Sequence, residues 1–121
     1  MTPPLDSTPG PAGHAALRAR LQDALRVAMR AREAPAVSAL RTALSALDNA
    51  SAVAQTAAHV PVEGLSADVP RRELTEGEAI AILQAEADER REAMETYMRL
   101  GRDPEANRLR AELAALAPFL E

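Results

Sequence analysis

Leu100-Gly101-Arg102-Asp103-Pro104 lies between two long stretches that hold no proline, and its punctuation decides the fold. Gly101 stands where a left-handed residue just past a helix end is wanted, so the spacing predicts a helix that stops near Leu100. Asp103 is placed to cap the next helix, with Pro104 at its first position, and Glu105 favours the positive end of the helix dipole. Upstream, Thr75 and Glu78 have the spacing of a capping box, in which each side chain bonds the other's backbone N–H. The helix they open should turn Ile80, Leu83, Ala87, Met94 and Tyr97 inward, with Ile82 and Met98 widening the stripe. In the last helix Ala106, Leu109, Leu113 and Leu116 face inward and Pro118 closes it.

The same punctuation and periodicity extend toward the N-terminus. Leu17, Leu21, Leu25, Ala28 and Met29 recur at three- and four-residue spacing, which predicts a helix from Ala15 that stops near Glu33-Ala34, because Pro35 disfavours helical geometry in the residue before it. Pro35 itself suits the first turn of a second helix. There Val37, Leu40, Leu44 and Leu47 form a seam, and Ala39, Ala43 and Ala46 flank it and permit close helix approach. The class expected is therefore all-α, a four-helix bundle of two hairpins joined by a long loop. Residues 1–13 carry four of the nine prolines and read as a disordered tail, so the domain proper is 14–121. Between about Gln55 and Glu73 the pattern dissolves into Val60-Pro61, Gly64 and Pro70, which reads as a solvent-exposed loop.

Composition narrows the function classes. Without cysteine there is no disulfide, zinc cluster or thiol nucleophile. No apolar run approaches the ~20 residues needed to span a bilayer, and residues 1–13 lack the basic and apolar regions of a signal peptide, so a cytoplasmic protein without a membrane role is expected. All fourteen basic residues are arginine, and the net charge is −4, which argues against a dedicated nucleic-acid binder. His14 and His59 have no metal-ligand spacing and read as solvated; no glycine-rich phosphate loop is present. Neither a catalytic residue nor a cofactor or metal is expected.

Two groups of residues are candidates for interaction. Gln84, Glu86, Arg90 and Arg91 lie on the charged side of the third helix, where Glu86 with Arg90, Glu95 with Arg99 and Asp88 with Arg91 have the spacing of solvated pairs worth ~0.2–0.5 kcal/mol each. Arg26 and Arg30 share a face of the first helix, with Arg41 on the second. From Arg18 to Asp48 six arginines meet only Asp23, Glu33 and Asp48, a local positive excess that suits phosphates. No aromatic side chain is interleaved there for base stacking.

Taken together, Leu40-Arg41 with Ala43 to Ala50, Arg72-Glu73-Leu74-Thr75, Leu83-Gln84-x-Glu86 with Arg90-Arg91-Glu92, and Gly101-Arg102 followed by Glu112-Leu113 and Leu116 resemble the GatB/YqeY family. The resemblance covers about residues 15–121. It implies kinship with the C-terminal helical region of the GatB subunit of tRNA-dependent amidotransferases. It also implies a carbon–nitrogen ligase label with glutamine as amido-N-donor. The family commonly continues into a three-helix tail domain implicated in tRNA contact, which is not expected after Phe119-Leu120-Glu121. Ala93 and Ser51 depart from the family's usual Ser and acidic residue. The amidase constellation of that enzyme is serine–serine–lysine, and a chain without lysine cannot supply it. The function expected is therefore a non-catalytic helical module, an accessory factor with an unknown protein partner linked to translation or tRNA amidation. The alternatives are a tRNA-associated factor using the arginine face and the ligase activity that the resemblance implies. Homo-oligomers through the Ala-rich helices remain open.

Overall fold

The computed structural model describes residues 13–58 and 73–120, and the expected all-α bundle is what they form. Helix α1 spans Ala15–Arg30, α2 Ala34–Ala58, α3 Glu76–Arg99 and α4 Asp103–Leu116, and a 3-10 turn, Ala117–Phe119, follows. Residues 1–12 and 59–72, with most of the expected tail and loop and with His59, lie outside the described residues. Three boundaries differ, that of the end of α1 being set by its hairpin turn. Helix α2 continues to Ala58, because Gln55, Thr56 and the alanines beside them contain no breaker. Gly13 makes an antiparallel bridge to Thr75, which ties the start of α1 to the start of α3.

Packing is not that of four equal neighbours. Helix α4 lies against both α3 and α2, α2 lies against α1, and the α2–α3 contact is light. Leu17, Leu21, Leu40, Leu47, Leu83 and Leu116 fill the core, and Ala39, Ala43, Ala79 and Ala87 are wholly buried between them. Small residues at those places let the backbones approach, so alanines beside the leucine seams carry as much of the packing as the seams do. Met29 was expected inside and is 48% exposed. At ~100° per residue it lies about 120° from Leu17 around the helix, beyond the buried stripe. Met98 likewise stays exposed, at the end of α3 next to the hairpin turn.

Both hairpins reverse through the same pair of hydrogen bonds. At the end of α3 the Gly101 N–H donates to the Met98 carbonyl at 3.1 Å and the Arg102 N–H to the Tyr97 carbonyl at 2.8 Å. Gly101 has φ 71°, the left-handed geometry expected of it. The contact that usually joins the residues flanking such a cap is made here by the Arg102 guanidinium, 5.7 Å from the Tyr97 ring centre. At the end of α1 the Arg32 N–H donates to the Met29 carbonyl at 3.1 Å and the Glu33 N–H to the Ala28 carbonyl at 3.0 Å. Arg32 occupies the left-handed position with φ 57°. Helix α1 therefore stops at Arg30, earlier than Pro35 alone suggested, because the reversal consumes Ala31, Arg32 and Glu33 before α2 begins.

The remaining ends divide between expected and corrected. Thr75 Oγ1 accepts from the Glu78 N–H and the Thr75 N–H donates to Glu78 Oε1, both at 3.0 Å, so the capping box is complete. Asp103 does not cap α4. The turn closes on Arg102, whose backbone leaves the helix at once, so Asp103 is already helical and acts through the dipole alone. Beyond α4 the 3-10 turn folds Phe119 back into the core, where the Arg20 guanidinium stands 5.1 Å from its ring centre.

Candidate interaction surface

On α3 the four candidate residues divide. Gln84 and Arg91 are tied to Asp88, at 3.1 and 2.9 Å, in the solvated manner expected. Glu86 and Arg90 are not solvated. Arg90 Nη1 donates to Glu86 Oε1 at 3.0 Å while its Nε donates to Glu112 Oε1 at 2.8 Å, across to α4. The side chains of Arg90, Glu86 and Glu112 are only 11%, 19% and 9% exposed. This is an inter-helix network, and the value expected of an exposed pair does not apply to it. Burial pulls the Arg90 pKa down, but the bonds to Glu86 and Glu112 outweigh burial and leave it above its ordinary value. Glu112 was missed, although its place was legible. It sits three residues after Leu109 and four before Leu116, an acid on an apolar stripe that needs a buried cation. The expected Glu95–Arg99 pair does not form; Arg99 donates to Thr96 Oγ1 at 3.2 Å.

A shallow cleft of about 310 Å³ opens above this network, lined by Thr42, Glu86, Glu89, Arg90, Arg108 and Glu112. Its converging groups are already partnered, whereas Glu89 lines the cleft without a partner among the described residues. Arg90 holds both carboxylates, and the Thr42 hydroxyl donates to the Ser38 carbonyl at 2.9 Å. Such a cluster pins α3 to α4 and fixes their register.

The arginines of the first hairpin also divide. Arg18 grips Asp48 with two nitrogens, at 3.0 and 3.1 Å, and Arg26 pairs with Asp23. Neither is a spare cation. Arg30 and Arg41 have no acceptor among the described residues, and Arg32, which the sequence pattern did not single out, joins them. Arg32 and Arg41 line one open cleft of about 540 Å³ at the α1–α2 turn. Around the turn a second groove of about 640 Å³ runs between the first turn of α2 and α4, past Arg32, Glu33, Pro35, Ala36, Ala111 and Ala114. It adjoins a third hollow of about 290 Å³ that includes Val27 and Pro118. Val27 is 61% exposed. The signal in the sequence is a second apolar stripe on α4, Ala111, Ala114 and Ala115, opposite the leucines.

His14 is half-buried rather than solvated, and its Nδ1 is enclosed without a hydrogen-bond partner. Among the described residues no helix is long and apolar enough to cross a membrane, and no cluster of three or more His, Asp or Glu has metal-holding geometry.

The family model for the Yqey-like protein matches residues 18–121, which takes in α2, α3 and α4 whole and α1 from Arg18. The chain belongs to that family. No curated protein and no solved structure matches it. Both clusters of the Yqey-like domain, the Arg90 network and the groove at the α1–α2 turn, fall inside the matched residues.

Proposed function

We propose that this Yqey-like domain is a docking module with no chemistry of its own, accessory to translation or to tRNA amidation in the cytoplasm. One observation carries the reading. The polar side chains that converge, Glu86, Arg90 and Glu112, are spent on holding helices together, whereas the open groove at the α1–α2 turn is floored by alanine and edged by Arg32 and Glu33. A surface of that kind offers area and charge for a protein partner, and its one carboxylate, Glu33, has no histidine or second carboxylate beside it in the groove. The link to amidation rests on the resemblance to the C-terminal helical region of GatB. Cross-linking of the full chain in its native cells, followed by mass spectrometry, tests the reading. Enrichment of translation or tRNA-modifying proteins is expected, and cross-linked material containing none of them would overturn it.

Arg30, Arg32 and Arg41, which have no acceptor among the described residues, favour a second reading, a tRNA-associated factor. Electrophoretic mobility shifts with tRNA at ~0.15 M salt separate the two, since phosphate contacts made by these cations are salt-dependent. Binding that survives Arg30→Ala with Arg41→Ala, or no binding, removes this alternative.

A further inference from the structure

We propose that the cleft shared by Arg32 and Arg41 receives a single phosphate monoester, carried on a phosphorylated serine or threonine of a partner protein. The inference rests on the docking-module reading and names the group that docks. The cleft is lined by Arg32, Ala34, Val37, Ser38, Arg41 and Thr42, two cations with no acid among them. Neither guanidinium has an acceptor among the described residues. Glu33, next to Arg32 in the chain, lines the alanine-floored groove instead, and Asp48 is held by Arg18. The reversal between the helices keeps Arg32 at a left-handed φ of 57°, a costly backbone for a residue with a side chain. Residues held in such conformations recur at ligand clamps.

Charge decides the class of ligand. A phosphate monoester brings nearly two negative charges and three acceptor oxygens on one group. That matches two guanidinium forks at one hollow, each able to make paired hydrogen bonds to phosphate oxygens. The Ser38 hydroxyl has no bond among the described residues and is free to donate, whereas Thr42 spends its own on the Ser38 carbonyl at 2.9 Å. Ala34 opens α2 in the same cleft, and the positive end of that helix dipole adds to the field of the arginines. Ala34 and Val37 give the peptide that bears the phosphate an apolar wall. A nucleic-acid strand fits less well. It spreads one charge on each phosphate and is held by a row of cations and by aromatic faces. Here the cations of the cleft stop at two, no aromatic residue lines it, and the net charge of the chain is −4.

The test probes an array of random peptides, each with one central phosphoserine or phosphothreonine, with the full chain, beside the same array unphosphorylated. Phosphorylated members should bind about tenfold or more tighter than their unphosphorylated twins. Binding should weaken as pH falls from about 7.5 to about 5.5, because the second pKa of the phosphate is about 6. Arg41→Met with Arg32→Gly, which suits the left-handed turn, should abolish the preference. Arg110→Met, which removes a cation of α4 outside the cleft, should leave it unchanged. Both cleft arginines are exposed, so circular dichroism of the double variant should show an unchanged fold. No preference for phosphate, a preference that survives the double variant, or one that Arg110→Met removes equally each overturn the proposal. Binding of tRNA through the same two arginines, with the phosphopeptides ignored, overturns it in favour of RNA. Cellular partners that remain cross-linked to the double variant would sink the phosphate cleft and leave the docking module standing; the absence of any partner on the natural chain would sink both.

Discussion

Replacing Arg90 by methionine keeps most of its length and removes its charge, and the Glu86–Arg90–Glu112 geometry sets the cost. Each N–O contact, near 3 Å, is a gross attraction of about 5 kcal/mol at an effective dielectric of ~20. Most of that is offset by the cost of taking three charges out of water, so the net worth of the network is small. Removing one partner is different, because the two carboxylates stay behind without a cation. Breaking a buried pair in this way costs ~3–5 kcal/mol. Glu86 keeps 19% of its surface exposed and so some hydration, which favours the lower end, about 3 kcal/mol. At ~4 °C per kcal/mol for a domain of roughly this size, the midpoint of thermal unfolding should fall by about 12 °C. The triple change Arg90→Met, Glu86→Gln, Glu112→Met removes every charge and should come back to within about 1 kcal/mol of the natural chain. Urea and thermal unfolding followed by helical circular dichroism at several salt concentrations measure both. A single variant that loses less than ~1 kcal/mol, or a triple variant worse than the single, would refute the idea that the uncompensated carboxylates are the cost.

Three other outcomes are expected. Arg32→Gly should stabilise by roughly 0.5–1 kcal/mol in urea unfolding, since a left-handed side chain costs ~1–2 kcal/mol and glycine returns part of that through the unfolded state. A loss of stability would show that the side chain makes up for its backbone. Ala43→Leu should cost ~1–3 kcal/mol, because Ala43 is wholly buried and the extra atoms have nowhere to go; an unchanged midpoint would mean a looser core. The hydrogen bond from Arg102 holds the Glu105 carboxyl below its ordinary value, so the folded pKa lies below the unfolded one. The stability this adds is present above the unfolded carboxylate pKa and lost as pH falls through the folded one. The unfolding midpoints of the natural chain and Glu105→Gln should therefore converge on acidification, and a gap that stays constant from about pH 7 to about pH 3 counts against the pair.

The capping box, the glycine stop of α3 and the leucine seams were legible in the sequence because they answer to local rules. Thr75 and Glu78 are three residues apart wherever the chain goes, and a left-handed Gly101 ends a helix whatever packs against it. The stripes from Leu17 to Leu21 and from Leu109 to Leu116 follow from helical period alone. The candidate surface was only half legible. Arg41 and Arg30 were singled out and have no acceptor among the described residues, but Arg26 faces its own Asp23 and Arg32 was passed over, since nothing in its neighbourhood announces a left-handed residue that is not glycine.

Sequence alone determined that the chain is helical, where Thr75, Gly101 and Pro104 punctuate it, and which family it joins. Tertiary structure alone decided which charges are structural and which are free. Arg90 meets Glu112 across 22 residues, a distance that no helical period encodes, and the meeting turns a solvated face into a buried clasp. Likewise the alanines of α4 become a groove only because α2 begins beside them. Spacing along one helix sets a side chain's direction; whether another helix or water lies in that direction depends on how the two hairpins pack.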